Sequence, residues 1–197
     1  MPVEDPGTTF ALTLNLATNG SGVPQWLMNG VSFRGDYNSP VLLNVAQGNN
    51  TFKPEWNVFN QGSASSVRMI IYNQFLADHP MHLHGHDFQV LATGRGTWDG
   101  TITNPRNPQR RDVQQIASGG TVAQPTYIVL QWDQNNPGVW PFHCHIAWHL
   151  SGGMYINILE RPADIPSLQI PQEYYDSCTA WKYWEQTHDA NQIDSGV

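Results

Sequence analysis

The chain has 197 residues, of which 40% are hydrophobic and 13% are charged, and its formal net charge is −7 at pH 7. This length supports one sizeable hydrophobic core, so we expect a single domain followed by a tail. The nine basic residues are scattered, which argues against binding to nucleic acid or to an anionic membrane surface. Since no run of 18 apolar residues occurs, the sequence predicts no membrane-spanning helix.

Five segments have the pattern of β-strands. Residues 10–16 alternate between apolar and polar side chains with period two, as a half-buried strand does. The other predicted strands, bounded by glycine, proline, asparagine or aspartate, are residues 66–72, 88–93, 126–132 and 154–159. Such spacing predicts an all-β sandwich or barrel. After residue 161, three prolines break any strand, and apolar residues at helical spacing predict one short helix at 173–186.

Two short segments contain seven of the eight histidines and one of the two cysteines. They are residues 79–86 (HPMHLHGH) and 143–154 (HCHIAWHLSGGM). A blue-copper site needs two imidazoles, one thiolate and a weak axial thioether. Cys144, His149 and Met154 could supply three of these from one strand-loop-strand. The remaining imidazole must then come from residues 79–86.

The alternation of side chains along a strand divides these residues between two metal sites. If residues 143–145 are extended, the thiolate points away from the two flanking imidazoles. The first site would then contain His79, Cys144, His149 and Met154. The second would contain His82, His84, His143 and His145. Because Cys144 is bonded through the backbone to residues of the second site, electrons would have a short covalent route between the sites.

Zinc also accepts nitrogen and sulfur ligands, but a structural zinc site generally has paired cysteines at short spacing. A single cysteine among histidines, followed by a methionine, favours copper. His86 lies beside a predicted turn, and we expect it to form hydrogen bonds behind the ligands. No motif surrounds His188, and we assign it no metal role.

The second cysteine and the N-terminal residues indicate that the natural protein is longer than this chain. If Cys144 binds copper, Cys178 is either a free buried thiol or half of a disulfide to a segment that is absent here. Asn19 and Asn49 lie in N-glycosylation tripeptides, whereas residues 1–5 lack the features of a signal peptide. We therefore expect a secreted protein whose true N-terminus lies upstream.

The two histidine-rich segments closely resemble the copper-binding signatures in the C-terminal cupredoxin domain of multicopper oxidases, particularly laccases of the ascomycete type. Residues 107–113 (NPQRRDV) and 194–197 (DSGV) resemble further segments of that family. The resemblance implies a cupredoxin-like Greek-key β-sandwich at residues 1–162, as the third domain of such an oxidase. Residues 163–197 would form a C-terminal extension with short helical segments and a plug-like tail.

The resemblance also implies a role for each ligand. His79, Cys144 and His149 would bind the type 1 copper, with Met154 axial, and His82 would bind the type 2 copper. The type 3 pair would be bound by His84 and His143 at one copper and by His145 at the other. His149 or His79 would receive the electron from the donor, and Cys144 would pass it on. Ascomycete laccases commonly have leucine at the axial position, so Met154 is a departure that should lower the reduction potential.

The activity implied is one-electron oxidation of phenolic donors, with reduction of dioxygen to water at a trinuclear copper cluster. The resemblance further implies a secreted glycoprotein with a role in lignin degradation. That cluster needs eight histidines in this family, and four of them, in paired His-x-His motifs, are absent from this sequence. We therefore expect an incomplete and inactive fragment that lacks its N-terminal cupredoxin domains, to one of which Cys178 would form a disulfide.

Several alternatives remain open at this point. A stand-alone electron carrier with one type 1 copper would need only the first site, although four imidazoles would then have no role. The chain could also be an inactive remnant, or a domain that completes its cluster with separate chains. Within the oxidases, ferroxidase and bilirubin oxidase remain alternatives, since donor specificity depends on loops that lie partly outside this sequence.

Overall fold

Two β-sheets enclose the hydrophobic core of the protein. The computed structural model describes residues 2–188. Within them, eleven strands form: β1 (Thr8–Thr18), β2 (Pro24–Met28), β3 (Val58–Asn60), β4 (Ser66–Asn73), β5 (His79–Leu83), β6 (Phe88–Arg95), β7 (Gln109–Arg111), β8 (Val113–Ile116), β9 (Thr126–Asp133), β10 (Gly138–Cys144) and β11 (Tyr155–Glu160). One sheet has the order β2-β1-β4-β9-β6-β7 and the other β3-β11-β10-β5-β8. The predicted all-β sandwich is confirmed.

The core lies between the inner faces of the two sheets. Leu12 and Leu14 on β1 are fully buried, while the residues between and beside them are partly or fully exposed. Such alternation is what a strand with one face on the core requires. Phe142 on β10 and Ile156 on β11 belong to the same buried cluster and come from the second sheet. All five predicted strands form where the sequence places them.

The register of β5 against β10 separates the histidines from the cysteine. In this antiparallel pair, His82 lies opposite His143 and Met81 lies opposite Cys144. Residues that lie directly opposite each other project to the same face. The two histidines therefore share one face of the sheet. Met81 and Cys144 are fully buried on the other face, within the core.

Two short helices lie in connections between strands, and a third helix follows the last strand. They are α1 (Val41–Ala46), α2 (Ala147–Ser151) and α3 (Gln172–Glu185), with 3₁₀ turns at Pro54–Trp56 and Ile165–Ser167. The helix predicted at residues 173–186 forms as α3, displaced by one residue, and no residue between 172 and 185 is buried. The tail at residues 194–197 lies outside the described residues. No helix within the described part of the chain is long and apolar enough to cross a membrane.

Candidate metal centre

Three potential ligand atoms meet at the end of the β5–β10 pair. The Nδ1 atoms of His79 and His149 lie 3.1 Å apart. The Sγ atom of Cys144 lies 3.8 Å from Nδ1 of His79 and 3.5 Å from Nδ1 of His149. His79 and Cys144 are fully buried, and His149 is partly exposed. The structure thus brings together the two imidazoles and the thiol that the sequence assigns to the first site.

A single helical turn brings His149 back towards Cys144. The strand-loop-strand expected from the sequence is a strand-helix-strand, since α2 (Ala147–Ser151) occupies the connection. The Met154 amide donates to the carbonyl of His149 at 3.0 Å, and the Cys144 amide donates to the carbonyl of Met154 at 3.2 Å. Met154 is fully buried. Its backbone therefore ties together the two ends of the loop that contains Cys144 and His149.

Burial favours the neutral form of both imidazoles of this site. Burial, with a smaller contribution from the neighbouring charge of His149, lowers the pKa of His79 to about 4. Burial also lowers the pKa of His149. In contrast, burial raises the pKa of the Cys144 thiol to about 11, since the thiolate is the charged form. A metal ion would therefore find two imidazole lone pairs available and would displace the proton of the thiol.

Trp26 forms a wall of the site that the sequence analysis did not anticipate. Its ring centroid lies 4.8 Å from that of His79 and 4.5 Å from that of His149. The residue is 7% exposed, and its amide donates to the carbonyl of Gly152 at 2.7 Å. Only the apolar pattern of residues 26–28 could have pointed to it, and that pattern does not indicate which side chains it contacts.

Four further imidazoles form a second group on the opposite face of the sheet. The Nε2 atoms of His84 and His143 lie 2.9 Å apart. Within the group, the ring centroids of five residue pairs lie 4.7–5.9 Å apart: His82–His84, His84–His143, His82–His143, His82–His145 and His143–His145. His145 follows the last residue of β10, and its amide donates to the carbonyl of Pro80 at 2.7 Å. The structure thus places these four histidines together, as the alternation of side chains predicts.

Backbone carbonyls orient two of these imidazoles. Nδ1 of His82 lies 2.8 Å from the carbonyl oxygen of Asp112, and Nδ1 of His143 lies 2.9 Å from that of Cys144. Since a carbonyl oxygen can only accept, each Nδ1 must carry the proton. The lone pair of each ring is then on Nε2, which is how second partners commonly fix metal-binding histidines. Burial lowers the pKa of His84 and of His143, so their neutral forms are favoured as well.

His86 lies behind this second group, as the sequence predicts. Its Nδ1 lies 3.2 Å from the carbonyl oxygen of His84, and its Nε2 lies 2.8 Å from Oε2 of Glu160. His188 lies elsewhere, with its ring stacked on Trp184 at 4.2 Å. Cys178 is partly exposed on α3 (Gln172–Glu185), and its thiol is free within the described structure.

Comparison with known families gives the decisive observation. The profile of a family described as multicopper oxidase matches residues 27–164, which include both histidine-rich segments. The chain belongs to the multicopper oxidase family. The predicted resemblance to that family is therefore confirmed, and copper is the metal that the family implies.

Fungal laccases are similar to this multicopper oxidase chain over almost its whole length. Laccase-1 of Botryotinia fuckeliana is 36% identical over 98% of this chain and 34% of its own length. Laccase-2 of Podospora anserina is 32% identical over 98% and 34%, and Laccase-1 of Melanocarpus albomyces is 33% identical over 99% and 33%. The chain therefore spans about a third of the length of the curated relatives it matches.

Solved laccase structures share the fold of this multicopper oxidase chain. The laccase from Botrytis aclada superposes with a TM-score of 0.83 at 28% identity, over 96% of this chain and 35% of that one. A leucine-to-methionine mutant of the B. aclada laccase gives a TM-score of 0.85 at 28% identity, over 100% and 36%. The expected laccase-type cupredoxin fold is confirmed.

The donor atoms of the first site fit the copper that this family uses. Metal–nitrogen bonds of about 2.0 Å and metal–sulfur bonds of about 2.3 Å place the ligand atoms of one ion about 3–4 Å apart. The two Nδ1 atoms and the Sγ atom, at 3.1–3.8 Å, already have such separations. Two imidazoles and one thiolate are also the strong ligands of blue-copper sites.

Gly85→Ala should destabilise the folded chain by more than the backbone conformation of Gly85 alone explains. Gly85 has a φ of +73°, and a Cβ there would lie 2.6 Å from the Trp140 ring. We expect a loss of about 1–2 kcal/mol from the left-handed backbone. Overpacking should add about 1–3 kcal/mol. Urea denaturation followed by tryptophan fluorescence measures the sum.

Gly22→Ala is the matched control for this prediction. Gly22 has a φ of +81°, but nothing lies within 4 Å of its Cβ position. This variant should lose only the backbone contribution. Equal losses in the two variants would contradict the role assigned to the contact between Gly85 and Trp140.

Proposed function

We propose that this chain is the copper-binding C-terminal domain of a laccase-like multicopper oxidase, with a cupredoxin domain at residues 1–162 and an extension at residues 163–197. The protein would oxidise phenolic donors in one-electron steps at a type 1 copper and reduce dioxygen to water at a trinuclear cluster. One observation carries the proposal. The thiol of Cys144 lies within 3.8 Å of two imidazole nitrogens, while its sequence neighbours His143 and His145 belong to a second group of imidazoles.

In this proposal each ligand keeps the role that the family resemblance gives it. His79, Cys144 and His149 hold the type 1 copper, with Met154 axial. The remaining ligands are His82 for the type 2 copper and His84, His143 and His145 for the type 3 pair. Bound copper would supply the one-electron chemistry at the first site and the four-electron reduction of dioxygen at the second.

The surface beside His149 suits an aromatic electron donor. Trp148 precedes it on α2 (Ala147–Ser151) and is 83% exposed. Tryptophan is enriched at interfaces because its ring combines an apolar body with a polar N–H group. A phenol stacked on Trp148 would lie next to His149, which is the partly exposed imidazole of the first site, whereas His79 is buried. His149 would then receive the electron from the donor.

Two connections link the sites for electron transfer. Cys144 is joined to His143 and His145 by single peptide units, so the thiolate and both imidazoles belong to one covalent path. In addition, the ring of His143 donates from Nδ1 to the carbonyl oxygen of Cys144 at 2.9 Å. This hydrogen bond gives electrons a route from Cys144 to the His143 ring that avoids part of the covalent path.

The second group contains four imidazoles, half of the eight that the trinuclear cluster of this family uses. Because the chain spans about a third of its relatives' length, the other four can come from N-terminal cupredoxin domains of a longer protein. In that arrangement Cys178 would form a disulfide to one of those domains. The chain by itself would bind the type 1 copper but would not complete the cycle with dioxygen.

Secretion is part of the same proposal, as is glycosylation at Asn19 and Asn49. Each of these side chains accepts a hydrogen bond from the amide two residues later, so both tripeptides lie in turns. Residues 49–51 are all exposed. The phenols released from lignin would be accessible donors for a secreted oxidase.

Anaerobic reduction of the copper-loaded chain tests the choice of donor. We expect a methoxyphenol to bleach the blue band, with one phenol oxidised per type 1 copper. Ferrous iron and bilirubin serve as comparison donors for the ferroxidase and bilirubin oxidase alternatives. Bleaching by ferrous iron or bilirubin, but not by the phenol, would contradict the hypothesis of a laccase-like donor specificity.

Electron transfer alone is the second candidate, and the completeness of the first site favours it. All three strong ligands of a blue copper lie in this chain. On adding dioxygen after anaerobic reduction, an electron carrier would remain bleached. An oxidase assembled with its missing histidines would regain its colour and consume one dioxygen for every four phenols.

Met154→Leu should raise the reduction potential of the type 1 copper. A weak thioether ligand stabilises the oxidised ion, and leucine has no donor atom to replace it. With Met154 in place, the site should oxidise easily oxidised phenols better than difficult ones. Potentiometric titration of the blue band measures the potential. A high potential that does not change in the Leu variant would remove Met154 from the ligand set.

A further inference from the structure

We propose that His86 and Glu160 are positioning residues that hold His84 in the four-histidine site. The inference rests on the proposed copper site at His82, His84, His143 and His145. It assigns a role to a buried pair that neither metal site uses as a ligand.

His86 links a carboxylate to the backbone of a histidine of the site. Its Nε2 lies 2.8 Å from Oε2 of Glu160, and its Nδ1 lies 3.2 Å from the carbonyl oxygen of His84. The contact with Glu160 is short but is not aligned as a regular hydrogen bond. The imidazole therefore spans the gap between the end of β11 and the turn that follows β5.

Both members of the pair are withdrawn from solvent. The side chain of His86 is 3% exposed and that of Glu160 is 0% exposed. Polar side chains buried to this degree are costly unless they contact one another or the backbone. The rings of Trp140 and Trp132 lie 5.8 and 6.4 Å from the His86 ring. This setting holds the imidazole in one orientation.

A second set of contacts fixes the same turn from the same side. Glu160 accepts from the amide of Asn136 at 2.8 Å, and the Asn136 side chain donates to the carbonyl of Gly85 at 3.1 Å. The Trp140 indole donates to the carbonyl of Asn136 at 2.7 Å. Glu160 thus reaches two consecutive carbonyls, those of His84 and Gly85, through His86 and Asn136.

The geometry of His84 explains why this anchoring matters. Nε2 of His84 lies 2.9 Å from Nε2 of His143, which β10 holds in place. His84, however, follows the last residue of β5 and lies in the turn. The His84 amide donates to the carbonyl of Pro141 on β10 at 2.9 Å, and the His84 carbonyl is contacted by Nδ1 of His86 at 3.2 Å. β10 therefore holds one end of the residue and His86 holds the other. Partners that orient metal-binding histidines typically contribute about 10–100-fold to metal affinity.

The test uses a double variant, His86→Leu with Glu160→Leu, in the 197-residue chain. Replacing one member alone leaves a buried polar group without its partner, which lowers stability for a general reason. Replacing both with apolar residues of similar size is often neutral for stability. The double variant therefore removes the contacts of His86 and Glu160 while the chain is expected to remain folded. The control is Asp36→Leu with Lys53→Leu, which removes an ion pair at 3.0 Å between two other loops.

Cupric ion is the probe, and its two sites are read separately by electron paramagnetic resonance. The blue signal reports the Cys144 site, and the non-blue signal reports the four histidines. We expect the double variant to bind non-blue copper about 10–100-fold more weakly, with the blue signal unchanged. Because Glu160 also accepts from the Asn136 amide, the melting temperature should fall slightly, and copper binding is measured below the onset of unfolding. The control variant should change neither signal. A His84→Ala variant identifies the non-blue copper that belongs to the site.

Three results would overturn the inference, and the third would also overturn the proposed four-histidine site. If the double variant binds non-blue copper as tightly as the wild type, or loses both signals in parallel, the pair has no positioning role. If wild type and His84→Ala bind the same amount of non-blue copper, the proposed four-histidine site is wrong. The positioning role then falls with it.

Discussion

Cys144→Ser should abolish the blue absorption of the copper-loaded chain. Cys144 supplies the sulfur of the first site, and a blue band requires a copper–thiolate bond. A serine hydroxyl at the same position is a poor ligand at neutral pH and gives no such band. We also expect the four histidines on the other face to keep their metal, because they lie across the sheet from the thiol. Absorption spectroscopy, combined with copper analysis, measures both effects.

Cys178→Ser is the matched control, since it removes the other cysteine of the chain. Cys178 lies on α3 (Gln172–Glu185) and contributes no atom to the group formed by His79, Cys144 and His149. This variant should retain the full blue band. If the blue band survives in Cys144→Ser, or disappears in Cys178→Ser, Cys144 is not the cysteine that binds the blue copper.

Trp26→Ala should lower the free energy of unfolding by about 3–5 kcal/mol, the range for truncating a large buried aromatic side chain. Trp26 belongs to the main buried cluster and packs on both His79 and His149. The cavity would open directly behind the two imidazoles. We therefore also expect weaker binding of the blue copper, measured by titration after urea denaturation has given the stability.

The tryptophan that precedes His149 in the sequence provides the comparison. Trp148 is 83% exposed, so Trp148→Ala should change the free energy of unfolding by no more than about 0.5 kcal/mol. Its effect should be limited to donor oxidation, so that a higher phenol concentration is needed to bleach the blue band under anaerobic conditions. Equal free energies of unfolding in the two alanine variants would contradict the stabilising role assigned to Trp26.

The sequence predicts the elements of this fold well because their signals are local. The alternation at residues 10–16 reflects burial of one face of β1 (Thr8–Thr18), and the helical spacing at residues 173–186 reflects α3. The separation of Cys144 from His143 also follows from the period of a strand, and the register against β5 agrees with it.

The features that the sequence does not reveal depend on contacts between distant segments. Trp26 reaches His79 and His149 across the fold. His86 meets Glu160 only because β11 ends beside the turn after β5. α2 (Ala147–Ser151) forms one turn of helix without a side-chain cap, so no capping signal marks its start. Such long-range and weakly signalled features require the three-dimensional structure.

Copper content measured together with the blue absorption tests the central claim most directly. The chain is purified, loaded with copper and freed of loosely bound metal, and the intensity of the blue band is compared with the copper found. We predict one blue copper per wild-type chain and no blue copper in Cys144→Ser. Copper without a blue band, or a preference for zinc at the same three ligands, would contradict a type 1 site at His79, Cys144 and His149.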